Sequence, residues 1–349
     1  MKKWKKWWMV SSLIAAVVGI GGVIRLSASL RFPPNPYGLS IAEKRTIARY
    51  FAVAAAHHDY EVTAAQLATW INRPYNRPVL IDVRQPFGPD GYSRGHIAGS
   101  HNIPLQDMGQ ELLTQKPRTI TMMSALGIAH IHLFPLPKHR PVVVFCYDGD
   151  GGEMTPALLR LLGYNAYSLR WGTSAWNRLL DTWPTASEVS PLPLVTSSIA
   201  PPRNVAPPSG NDRVPFRLAR PFATFWTRLN QKYPEGYGRP WTIGPNTLLN
   251  LLSTSHAPMI VDLRSPQAFN RGHIPGSVNI PFRLLGANLT KIPYRKEVVL
   301  VSGTLQKAAQ ATAILRILGY NAFVLKQGLA DWAPQFVPHL GNVEYPIVK

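Results

Sequence analysis

Short unbroken apolar runs alternate along most of this chain with longer stretches of helical period. VLID at 79–82, VVVF at 142–145, MIVD at 259–262 and VVLV at 298–301 are continuous rather than alternating, the pattern of strands covered on both faces. EMTPALLRLLG at 153–163 and AAQATAILRILG at 308–319 place apolar residues at helical spacing and stop at glycine. Strand and helix signals in alternation predict an α/β fold, a central parallel sheet flanked by helices, with reactive loops at the carboxyl ends of the strands. Ser40 to Ala56 reads as an amphipathic leader helix, a spacer lying on the first domain or near a membrane. Thr63 is placed to cap a short helix after it.

The pattern occurs twice. PVVVFCYDGDGGEMTPALLRLLGYNA returns as EVVLVSGTLQKAAQATAILRILGYNA, VLIDVR as MIVDLR, GHIAGSHNIP (95–104) as GHIPGSVNIP (272–281), and GYNAYSLRWGTSAW (163–176) as GYNAFVLKQGLADW (319–332). Four blocks in one order imply a duplicated domain. Asp82 to Asp262 is 180 positions and Cys146 to Ser302 is 156, so the first copy carries about 24 extra residues. Most lie between Pro104 and Pro141, a segment of helix-like apolar content that reads as a lid or as a surface insertion. The expected divisions are 1–30 signal anchor or signal peptide, 31–59 leader helix, 60–186 first domain, 187–236 Pro-rich linker and basic helix, and 237–349 second domain.

The N-terminus adds a membrane expectation. MKKWKKWW carries four lysines and three tryptophans, and the apolar stretch from Trp7 to Ile24 is close to the minimum length of a spanning helix. Lysines on the cytoplasmic side would place the rest of the chain at the extracytoplasmic face, anchored, or exported if the segment is cleaved among Ser27, Ala28 and Ser29. The 37 Lys and Arg against 18 Asp and Glu give a net charge of +19, which suits anionic headgroups or anionic small molecules. No zinc spacing, recognition helix or RNA-binding aromatic motif accompanies the charge, so no nucleic-acid partner is expected. No metal-ligand spacing is present, and no metal or cofactor is expected.

Candidate chemistry centres on the single cysteine. Cys146 ends the VVVF strand and opens the loop Tyr147, Asp148, Gly149, Asp150, Gly151, Gly152 before a helix, where N–H groups and the positive end of the helix dipole favour a thiolate. The three glycines would let the loop curl its N–H groups inward around an anion. Thr155 would donate to that anion or, the preferred reading, cap the helix. Ser302 replaces the cysteine in the second copy and cannot form a persulfide, so that copy is expected to be inactive. Asp82 with Arg84, repeated as Asp262 with Arg264, reads mainly as an ion pair fixing neighbouring loops and secondarily as support for the site. His96 and His273 read as turn residues, Trp176 and Trp332 as core.

These blocks resemble the rhodanese family of sulfurtransferases. The resemblance rests on D-[VL]-R, G-H-I-x-G-S-x-N-I-P, the cysteine loop, L-G-Y and the terminal G-x-x-x-W, and it covers most of the chain after about residue 60. It implies two tandem rhodanese-like domains, which here would follow the N-terminal transmembrane helix expected from the apolar stretch. It also implies a Cys146 persulfide, charged by a small sulfur donor (thiosulfate, 3-mercaptopyruvate or a persulfide) and discharged to a thiol, cyanide-type or protein acceptor. In the best-known tandem members the second domain holds the cysteine, whereas here the first does. Many members carry a loop arginine five residues after the cysteine, where this chain has Gly151. Gly152 stands where a C-x5-R phosphatase loop would need its arginine. Asp148 and Asp150 would offset the helix terminus, each by about 0.7 kcal/mol at about 6 Å in water against roughly 0.3 to 2 kcal/mol. Unless Arg84, Arg170 or another cation reaches the mouth, thiosulfate would meet an acidic loop. The alternative function is a catalytically inactive binding or redox-sensing module at the membrane surface.

Overall fold

The computed structural model describes residues 37–198, 212–228, 237–238, 241–340 and 344–349. The anchor or signal segment expected at 1–30 lies outside them, and no helix among the described residues is long and apolar enough to cross a membrane.

The first copy forms a five-stranded sheet from β1 (Glu61–Val62), β2 (Val79–Asp82), β4 (Ser100–Asn102), β7 (Val142–Phe145) and β8 (Ala166–Leu169), in the order β1-β8-β7-β2-β4 and parallel throughout. Between these run β3 (His96–Ile97) and the hairpin β5 (Arg118–Ser124) and β6 (Gly127–Leu133). The second copy repeats the parallel order with β10 (Thr242–Ile243), β14 (Ala322–Leu325), β13 (Val298–Val301), β11 (Met259–Asp262) and β12 (Val278–Asn279), and adds antiparallel β9 (Tyr237–Gly238) at its edge. All four residues of β2, β7 and β13 are buried, as their continuous apolar runs require. One core of Val62, Leu67, Leu80, Ile97, Val143, Phe145, Leu169 and Trp176 holds the first sheet to its helices.

The helices flanking the sheets are α3 (Ala64–Ile71), started by a Thr63–Gln66 capping box, with α4 (Met108–Leu113) and α5 (Asp150–Leu161) in the first copy. The second copy has α7 (Pro245–Leu252), α8 (Pro266–Asn270) and α9 (Gln306–Leu318). After α5, Gly163 takes φ +87°, the left-handed turn that ends the helix and explains the repeated L-G-Y.

The leader differs from expectation. It is two helices, α1 (Ile41–Ala48) and α2 (Tyr50–Ala56), and it lies on the second copy instead of the first. Tyr50 Oη donates to Gln310 Oε1 at 3.0 Å, and the Phe51 ring meets Phe282 edge-on at 5.5 Å. Reciprocally, α6 (Ala219–Thr227), which precedes the second copy, packs on the first: Trp226 Nε1 donates to Thr155 Oγ1 at 3.4 Å, and a side chain on Gly109 would strike the Ala223 carbonyl. Thr155 is therefore an acceptor inside α5 and does not cap the helix.

The connecting segments cross in the same way. Leu192 N donates to Trp332 O and Trp332 Nε1 to Pro193 O, both at 3.0 Å. At the chain's end, Tyr345 N donates to Trp176 O at 3.0 Å, Trp176 Nε1 to Pro346 O at 2.9 Å, and β15 (Ile347–Val348) pairs with β3. LPLV at 192–195 and YPIV at 345–348 are thus a fifth repeated block.

The insertion of the first copy is not mainly helical. After the short α4 its apolar residues alternate with period two, and TITMM pairs with IAHIH through Ile120 opposite Ile131.

Candidate functional site

Cys146 follows β7 at the carboxyl end of the sheet, 5% exposed, on the floor of a cavity of about 480 Å³. Its Sγ accepts the Gly152 N–H at 3.4 Å and donates to Asp148 Oδ1 at 3.9 Å. The N-cap Gly149 has no side chain to cap α5; Asp150 N–H donates to Asp148 Oδ1 at 3.3 Å, and the Gly152 N–H is the one turned to the sulfur. Gly149 supplies the turn into the helix with φ +117°. Gly152 does turn its N–H to the sulfur, but Gly151 and Gly152 are helical residues and are also needed for close approach. A Cβ on Gly151 would lie 2.7 Å from Leu105 Cδ2, and one on Gly152 would lie 3.0 Å from Cys146 N.

The loop is clamped from below by the G-x-x-x-W tail. Thr173 N donates to Cys146 O at 2.8 Å, and Ser174 N and Oγ donate to Tyr147 O at 3.1 and 3.0 Å. Arg84 and Asp82 form a buried ion pair at 2.7 Å, with the guanidinium also donating to Gly95 O and Asp90 O. Asn102 Nδ2 donates to the carbonyls of Asp82 and Arg84, which is why the asparagine of N-I-P recurs. The pair fixes the rim; it meets the cysteine loop through the Arg84 guanidinium 5.8 Å from the centre of the Tyr147 ring. His96 and His273 are strand-type rather than turn residues: His96 lies in β3 opposite Val348 and His273 is bridged to Val195, each ring Nδ1 meeting the carbonyl four residues earlier.

The electrostatics run against an easily ionised thiol. Burial pushes the Cys146 thiol far above its ordinary range; Asp148 adds to this, Gly152 N–H opposes it, Asp150 adds again and Gly149 N–H opposes. Burial also raises Asp148, moderated by N–H donors, Lys326 and Gln327, and raises Asp150 well above the carboxylate range with Asp148 adding to the effect. Both carboxyls therefore hold a proton more readily than exposed ones.

Sequence reasoning missed the other wall. Thr242, Lys326 and Gln327 of the second copy line the same cavity, with Thr182, Gln85, Leu105 and Gln106 of the first. Gln306 Nε2 donates to Asp148 O at 3.1 Å and Gln327 Nε2 to Thr182 O at 3.1 Å, so the second copy shapes the cysteine loop. The signal available was the repeat itself, which aligns Lys326 and Gln327 with Arg170 and Trp171. In the second loop Ala308 N donates to Ser302 Oγ at 3.3 Å, the same contact as Gly152 to Cys146, while Ser302 Oγ turns to Thr304 O. No cluster of three or more metal-ligating side chains is assembled among the described residues.

The model of the rhodanese-like domain matches residues 63–179 and 245–335, more than half of the chain, and the chain belongs to that family as a tandem member. It is 33% identical over 84 residues to the uncharacterized protein YibN of Escherichia coli strain K12, a match that spans 23% of this chain and 59% of YibN. A sulfurtransferase of Allochromatium vinosum is 28% identical over 97 residues, 28% of this chain and 91% of that protein. Among solved structures, the thiosulfate sulfurtransferase from Pseudomonas aeruginosa aligns over 85% of this chain and 69% of its own at 16% identity, with a TM-score of 0.26.

Proposed function

We propose that this protein is a sulfurtransferase that carries sulfane sulfur on Cys146. The observation that carries the reading is the placement of Sγ on a cavity floor between an N–H donor, Gly152, and a carboxyl, Asp148. Asp148 takes the thiol proton, and the thiolate attacks the outer sulfur of the donor. The Sγ–S bond forms as the donor's S–S bond breaks, and the leaving group departs with the bonding pair, as sulfite when the donor is thiosulfate. An acceptor thiolate then takes the outer sulfur, and its bonding pair returns to Sγ. Gly152 N–H and the start of α5 hold negative charge on sulfur in both steps. The lysine- and tryptophan-rich start of the chain supports an anchored, extracytoplasmic location.

One observation favours a second reading. The thiol's burial and its raised proton affinity suit a module that binds or senses redox state without turning over. Turnover separates the two: thiosulfate-dependent transfer to cyanide or dithiothreitol should vanish in Cys146→Ser and persist in Ser302→Ala. Asp148→Asn should lower kcat by about 10²-fold or more, the size of a lost proton acceptor. Transfer by Cys146→Ser would sink the assignment.

A further inference from the structure

We infer that Lys326, from the copy without a cysteine, is the anion-recognising group of the Cys146 cavity and directs it to small anionic sulfur donors of the thiosulfate type. This rests on the sulfur-carrying reading above and names its substrate class.

The argument comes from comparing the two halves. Glu61 pairs with Ser168 in the first sheet and Thr242 with Val324 in the second, and Ser168 and Val324 are equivalent positions of the repeat. Arg170 N donates to Val62 O and Lys326 N to Ile243 O, at 2.9 and 3.0 Å, so Arg170 and Lys326 leave equivalent strand ends. In the first copy the Arg170 guanidinium is held by Glu61 at 3.0 Å. In the second, the position of that glutamate is Thr242, which carries no charge; Lys326 makes no direct salt bridge among the described residues, and the carboxyls that feel its charge are Asp148 and Asp331.

The loops show the complementary difference. Lys307 stands where the cysteine loop has Gly151, and its ammonium is held by Asp59 at 3.0 Å. Arg170 and Lys307, the counterparts of Lys326 and of the loop position at Gly151, are thus each paired with a carboxylate. At the Cys146 cavity the neutralising glutamate is absent, and Lys326 is the only cation among the lining residues. Its side chain is exposed, so an anion can enter and leave. Its charge reaches the loop, where it lowers the proton affinity of Asp148. The arginine missing from the loop is thus replaced across the seam between copies. Asp90 at the rim and the two loop carboxyls limit the site to one compact anionic group beside the sulfur.

The test uses the full chain with two donors, thiosulfate and cysteamine persulfide, the second carrying its own ammonium. Lys326→Ala should lower the ratio of kcat/KM for thiosulfate to that for cysteamine persulfide by about tenfold or more, the size of losing one charge partner, and should flatten its salt dependence. Lys326→Arg should restore most of the ratio. Thr242→Glu, which recreates the neutralising carboxylate, should mimic the loss. An unchanged ratio in both Lys326→Ala and Thr242→Glu overturns the inference while leaving sulfur transfer standing. Should the wild-type chain transfer from neither donor, protection of Cys146 from iodoacetamide by thiosulfate is read instead. Protection that Lys326→Ala abolishes upholds anion recognition and removes sulfur transfer, and protection that is absent or unchanged by the substitution overturns the inference.

Discussion

A buried thiol beside two carboxyls ionises late, and the rate at which Cys146 reacts should show it. Because its proton affinity is raised, the thiolate forms only as pH climbs past the ordinary thiol range. Alkylation of Cys146 by iodoacetamide in the folded protein should be slower than in the unfolded chain at about pH 8 and still rising near pH ~10, where the unfolded control has levelled off. A plateau below pH ~8 would contradict the burial argument. At this scale the cysteine was legible in the sequence, as was the clash of helix dipole with Asp148 and Asp150. What was hidden is distance along the chain: Lys326 lies 180 positions from Cys146, and only the packing of one copy on the other brings it to the cavity. Gly151 and Gly152 stand out in the loop pattern, but their close contacts with Leu105 and Phe145 cannot be read from it.

Among the elements, the hairpin β5–β6 was the least legible, because a short helix precedes it and apolar content alone does not give a period. Its base depends on Glu111, a fully buried residue of α4 whose Oε2 accepts the Phe134 N–H at 3.1 Å. Burial pushes this carboxyl up to about 8, against the Phe134 N–H and Arg118. A folded value above the unfolded one favours the protonated folded state. The stabilisation is therefore complete below about pH 4.5 and is lost as pH rises through about 8. Glu111→Gln should remove a pH dependence on the order of a few kcal/mol from chemical denaturation across that window. An identical pH profile in the variant would rule this role out. The segments LPLV and YPIV were visible as sequence but too short to weigh as a repeat until each was found on the tryptophan of the other copy. Deleting 344–349 removes the acceptor of Trp176 Nε1 and the ring of Tyr345 that covers Trp176 at 4.7 Å. The expected loss is on the order of 2 kcal/mol, read as a lower denaturation midpoint; an unchanged midpoint would show the strap to be dispensable.

At the scale of the molecule, duplication and the parallel sheets followed from order and spacing in the sequence, whereas the crossed packing did not. Leader helices and terminal strands lie on the opposite copy, so the two sheets share one interior in which α5 packs on α9 and Gln310 donates to Glu153 at 2.7 Å. The copy without a cysteine is accordingly part of the site through Gln306, Lys326 and Gln327. The central claim is that Cys146 carries sulfur, and intact mass tests it directly. After incubation with thiosulfate or glutathione persulfide, the full chain should gain about 32 Da, one sulfur, lost on reduction. The gain should persist in Ser302→Ala and be absent in Cys146→Ser. No gain from either donor in folded protein, or a gain that survives Cys146→Ser, would contradict the account.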